Sequence, residues 1–188
     1  MDEVERRYVD ALLGALVRDL RDHPVPGRLA RVVVRWFEAS DPLYLTIHAL
    51  GTDQESAVAG GRRRWGGRLR RRPGDAWLPL EWDNVDEEME RTDRVLSDPA
   101  VQAAGRAVAE LHGERPDLAD GEFRAPPALV ELARRARDAF RAADIEVAEH
   151  MLLLPSHFEG EGARQVMQQI EPPEAVLAAL RARGAVPD

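Results

Sequence analysis

The sequence predicts an α+β fold, a small and mainly antiparallel sheet flanked by helices. Three observations point there. Two β-branched and aromatic runs, RLARVVVRWFE and LYLTIHAL, lie either side of the short turn ASDP, which favours a hairpin. A helical pattern precedes them and several follow. Strands and helices do not alternate regularly, which argues against a doubly wound sheet.

Residues 3–22 carry Val4, Tyr8, Leu12, Leu16 and Leu20 at every fourth position, with Ala11 and Ala15 beside them. That spacing is one face of a helix. His23, Pro24 and Pro26 end it, since proline cannot continue the backbone ladder. In the strand 28–38, Val32, Val34 and Trp36 share one face and Arg31, Val33 and Arg35 the other. In the next, Leu43, Leu45, Ile47 and Ala49 oppose Tyr44, Thr46 and His48. Residues 51–75 show no period and read as a long Arg/Gly-rich loop. AWLPLEW, 76–82, alternates like a strand, and Pro79 confines it to a sheet edge.

Asp83 or Asn84 caps an expected helix carrying Val85, Met89 and Leu96. Ser97 or Asp98 caps another, with Pro99 in its first turn and Gly113 at its end. Leu129, Leu132, Ala133, Ala136 and Phe140 stripe a helix over 127–143. Met151–Leu154 reads as a buried strand end. Two short helices, around 161–170 and 173–183, form a C-terminal helical pair within 161–184, with Gly184 as its stop. With no internal repeat and no clear linker, one domain spanning 1–188 is expected.

The chain has no cysteine, which excludes disulfides, thiolate metal sites and cysteine nucleophiles. No apolar run is long enough to span a bilayer, and the acidic, amphipathic start is unlike a secretory signal. A cytoplasmic location without membrane contact is the expectation. There is no lysine, and alanine, glycine, proline and arginine dominate, as GC-rich coding would give.

Charge is unevenly placed. GGRRRWGGRLRRRPG, 60–74, holds seven arginines and no acid, while EWDNVDEEMERTD, 81–93, holds seven acids and one arginine. The whole chain is at −8. An acidic body repels nucleic acid at long range. The loop residues Arg62, Arg63, Arg64, Trp65, Arg68, Arg70, Arg71 and Arg72 suit phosphate, with Trp65 to stack on a base. They equally suit an acidic partner, the chain's own acidic neighbour, or a second copy in a homodimer. The acidic stretch offers Glu81, Trp82, Asp83, Asp86, Glu87 and Glu88 as a protein-binding surface, tryptophan being enriched at interaction hot spots. Its bland alternative is Trp77 and Trp82 as core anchors of an edge strand.

Catalytic signals are sparse. His150 and His157 stand near Glu149, Glu159 and Glu161, but at no familiar ligand spacing. His48 with Asp53 and Glu55 is no stronger. Ser156 lacks the glycine frame of a nucleophile elbow, and the arginine loop lacks the lysine and hydroxyl of a P-loop. No catalytic residue, metal or cofactor is assigned.

PLYLTIHALGTDQE, AWLPLEWDNVDEEMERTDRVL and MLLLPSHFEGEG, in this order behind a leading helix, resemble an uncharacterised bacterial family of small α+β proteins that is met alongside SUKH-type immunity proteins of polymorphic toxin systems. The likeness spans most of residues 3–160. It implies a non-catalytic interaction protein, an immunity-type neutraliser whose acidic body would steer a basic toxin. The arginine loop and the last two helices depart from that pattern. Protein binding is therefore the expected function. Nucleic-acid association through Arg62–Arg72 is the alternative, and a hydrolase or metal enzyme the second.

Overall fold

A computed structural model describes residues 1–36, 45–54, 94–112, 125–157 and 163–182. It is an α+β arrangement, with helices flanking a four-stranded mixed sheet.

Helix α1, Glu3–Asp22, begins on a reciprocal cap. The Asp2 carboxylate accepts the Glu5 N–H at 2.8 Å and the Glu5 carboxylate accepts the Asp2 N–H at 3.1 Å, so two otherwise orphaned donors are satisfied. Its inner face buries Tyr8, Val9, Leu12, Leu13, Ala15, Leu16 and Leu20. Fully burying a leucine such as Leu12 or Leu16 contributes about 2 kcal/mol. The chain then turns through Gly27, at φ +76°, a conformation L side chains rarely adopt.

Strands β1, Leu29–Trp36, and β2, Leu45–Gly51, form the antiparallel hairpin that the sequence predicts. Val32 faces Ala49, Val34 faces Ile47 and Trp36 faces Leu45 across the ladder. Pro26 crosses so close to Gly51 that a β-carbon there would overlap the Pro26 carbonyl. On the far side of β2 lies β3, only Arg94–Val95. This corrects the expected helix that ran on to Leu96. Instead the Leu96 N–H donates to the Leu45 carbonyl at 2.9 Å, and Arg94 is drawn to α1 by Asp19. The expected edge strand at 76–82 and the loop at 51–75 lie outside the described residues, apart from 51–54.

Helix α2, Pro99–His112, starts where predicted. Asp98 supplies the cap, accepting the N–H groups of Ala100 and Val101 at 2.8 and 3.3 Å. Arg18 of α1 bonds the same carboxylate and holds its pKa below the ordinary aspartate value. Helix α3, Pro127–Ala142, buries Leu129, Leu132, Ala133, Ala136 and Phe140, the predicted stripe. Asp144 turns the chain at φ 59°. Strand β4, Val147–His157, then runs parallel to β1 on its free side, which gives the sheet order β3-β2-β1-β4. Two antiparallel pairings and one parallel pairing make the sheet mixed.

Helices α4, Ala163–Ile170, and α5, Glu174–Ala182, pack on β4, with Val166, Met167, Ile170, Val176 and Leu180 buried. Their corner passes through Glu171, at φ 52°, and two prolines. One buried apolar cluster links α1, α3, α4 and α5 to the sheet face of Val32, Val34, Trp36 and Ile47.

Candidate functional site

The opposite sheet face is where chemistry-bearing side chains gather. Strand alternation puts Arg31, Val33 and Arg35 there. Val33 and Leu50 are buried yet stand outside the main apolar cluster. The register builds three rows across β2, β1 and β4: Leu50–Arg31–Leu152, His48–Val33–Leu154 and Thr46–Arg35–Ser156. His48, Thr46 and Ser156 are 4%, 8% and 6% exposed, so these rows are covered rather than solvated. Every polar member, Arg31, Arg35, Thr46, His48 and Ser156, is engaged in further interactions, as buried polar groups require.

The electrostatics of these rows are cationic. Burial, and then the charges of Arg31, Arg35 and Arg94, push the His48 pKa down to about 4. The ring is therefore neutral at pH 7 and a weak base there. General-base catalysis works best with a pKa near the working pH. The geometry is also unsuited to a nucleophile–base pair. His48 and Ser156 sit on strands flanking β1 in different rows. Two strand spacings alone separate them by about 9–10 Å.

The other weighed residues do not converge either. His150 is buried, Glu149 is exposed, and Asp53 hydrogen-bonds Thr52 beyond the end of β2. The backbone of His157 closes β4 opposite Trp36. Glu55, Glu159 and Glu161 fall outside the described residues. Among the described residues no group of three histidines or carboxylates is placed to hold a metal ion. No described helix is long and apolar enough to cross a membrane.

The protein-binding candidates Glu81, Trp82, Asp83, Asp86, Glu87 and Glu88, and the loop candidates Arg62, Arg63, Arg64, Trp65, Arg68, Arg70, Arg71 and Arg72, all lie outside the described residues. The structure does locate the rest of the charge. The described residues hold 16 acids and 15 arginines, of 34 and 26 in the whole chain. Many of those arginines are already committed: Arg6 and Arg7 to Glu3, Arg18 to Asp98, Arg94 to Asp19, Arg135 to Asp10 and Arg181 to Glu174. The described frame is thus nearly neutral and internally paired, and the acid excess belongs to the remaining sequence.

Sequence reading missed one feature, a cleft between α3, β4 and the α4–α5 corner with Arg137 on its wall. In ARRARDAF that arginine is one of several on the polar side of an amphipathic helix, and only tertiary packing distinguishes it. No family model, curated protein or solved structure matches the chain.

Proposed function

We propose that the chain is a non-catalytic protein-binding module that presents the acidic segment Glu81, Trp82, Asp83, Asp86, Glu87 and Glu88 to a basic partner. The observation that carries this reading is the charge partition. A frame of 16 acids and 15 arginines, paired within itself, leaves 18 acids and 11 arginines, a net −7, to the other segments. Within those, 81–93 is the densest run of acid. Acidic surface of this kind raises the association rate with a basic protein and sets its orientation. The separation of His48 and Ser156 on strands flanking β1 in different rows, and the low His48 pKa, speak against a hydrolase built on the described face. In its narrowest form the reading is immunity-type neutralisation of a basic toxin, which is what the family resemblance implies.

The test is affinity capture from the native host with the wild-type chain and a variant carrying Glu81→Lys, Asp83→Lys, Asp86→Lys, Glu87→Lys and Glu88→Lys. A basic protein retained by the first and lost by the second, at equal thermal stability, supports the proposal. Retention by both overturns the surface. Tight DNA or RNA binding that falls steeply with salt, and is lost with Arg62–Arg72 neutralised, would replace the reading by the nucleic-acid alternative.

A further inference from the structure

The cleft between α3, β4 and the α4–α5 corner encloses roughly 220 Å³. Ala133, Leu153, Ile170, Pro173 and Val176 give it apolar walls. Its two arginines differ sharply in their commitments. Arg134 is spent on structure: Nε donates to the Ile170 carbonyl at 3.1 Å, Nη2 to the Gln169 carbonyl at 2.6 Å, and the Glu171 carboxylate lies 3.7 Å away. These bonds satisfy the C-terminal carbonyls of α4 and pin the corner.

Arg137 is committed through one nitrogen only. Its Nη1 donates to the Met151 carbonyl at 3.2 Å, which fixes the guanidinium against β4. No carboxylate among the described residues pairs with it, and Nε and Nη2 have no hydrogen-bond partner there. Yet the side chain is half-buried. Burial, and after it the neighbouring Arg141 charge, draws its pKa below the usual arginine value, so the site disfavours the cation it contains. A half-buried cation against apolar walls is stabilised by an anion that reaches it. A guanidinium edge with two free N–H groups matches a carboxylate in bidentate geometry.

The cleft also narrows the ligand. Asp138 and Glu171 stand at its edge, so a phosphate dianion would meet two like charges where a monocarboxylate brings a single one. Pockets for drug-sized ligands begin at about 300 Å³, so this space suits a body of one residue or so.

We propose that this cleft is a recognition site for a carboxylate carried on a short branched aliphatic group, its oxygens on Nε and Nη2 of Arg137 and its side chain against Leu153, Ile170, Pro173 and Val176. A peptide C-terminus ending in leucine or valine has this chemistry, and so has a free branched-chain acid. The site is independent of the acidic segment, and charge reversal at Glu81–Glu88 leaves it intact.

Titration of the ¹⁵N-labelled protein with N-acetyl-Val-Leu, with its C-terminal amide, and with 4-methylpentanoate tests the site. Saturable shifts at Leu153, Ile170 and Val176 are expected with the peptide acid, and at least tenfold weaker binding with the amide. Equal binding by 4-methylpentanoate assigns the site to small acids, and its failure beside a binding peptide acid assigns it to peptide termini. Arg137→Gln should erase the preference for acid over amide. Pro173→Trp, at an exposed position on the cleft wall, fills the cleft and leaves Arg137 in place, and should abolish binding of all three in a protein of unchanged fold. Equal affinity for acid and amide, or no cleft shifts with any probe at millimolar concentration, overturns the proposal.

Discussion

Arg94 and Asp19 clasp each other across the seam between β3 and α1. Both Nε and Nη2 of the arginine reach the carboxylate, with Nε at 3.0 and 3.1 Å from its two oxygens. The side chains are 28% and 13% exposed, so the pair is largely withdrawn from water. A forked, partly buried pair is stronger than a surface contact, and removing one member strands the other. Asp19→Ala should therefore cost about 2 kcal/mol. The double variant Asp19→Ala, Arg94→Met should lose less than Asp19→Ala alone. Urea unfolding of the full cycle measures both.

His48 makes stability depend on pH. The unfolded ring titrates near 6.5 and the folded ring at about 4. Above 6.5 both states hold a neutral ring and the full stability is present. As pH falls from 6.5 to 4, the unfolded chain takes up a proton that the folded chain refuses, and stability is lost. The shift corresponds to about 2–3 kcal/mol between pH 7 and 4.5. His48→Gln should remove that part of the acid sensitivity, read as the difference between wild-type and variant urea curves at the two pH values.

Tyr8 carries a phenol with no hydrogen-bond partner inside the α1–α2 contact, at 3% exposure. Its ring lies against Gly105 of α2, and burial drives its pKa well above that of an ordinary tyrosine. An unsatisfied buried hydroxyl costs free energy. Tyr8→Phe should leave the protein as stable or raise its stability by about 1 kcal/mol, which a thermal melt will show.

Gly51 and Gly14 should respond oppositely to alanine. A β-carbon on Gly51 meets the Pro26 backbone, which cannot move without breaking the turn into β1. Gly51→Ala should cost about 3 kcal/mol or more. On Gly14 the same atom meets only the flexible end of Arg18 at 3.4 Å. Within α1 that change should add about 0.5–1 kcal/mol. Paired denaturation curves decide both signs.

The legible part of this fold is the part written in local pattern. The fourfold spacing of Tyr8, Leu12, Leu16 and Leu20 marks α1, and the alternation through Val32, Val34 and Trp36 marks β1 and its inner face. Asp98 followed by Pro99 marks the start of α2. What escapes is decided by distant partners. Arg94–Val95 becomes a strand because β2 and Asp19 hold it, although the preceding residues are spaced like a helix. Nothing within β4 announces that its neighbour is β1 or that the pairing is parallel. The polar face was half visible, since Arg31, Arg35, Thr46 and His48 alternate correctly along their strands. That Ser156 joins the Arg35 row depends on the long-range register. Arg137 was invisible for the same reason, because its distinction lies in what α4 and α5 place around it.

The parallel ladder between β1 and β4 has a consequence for how the molecule is made. Leu29 pairs with Val147 and Trp36 with His157, so the central strand leaves the ribosome long before its second neighbour exists. Until then the nascent chain can assemble α1, the β1–β2 hairpin with β3, and the helices α2 and α3, with one hydrogen-bonding edge of β1 open to any passing strand. A ribosome halted ahead of residue 147 would therefore expose a sticky half-sheet, and the last forty residues act as the seal that closes it.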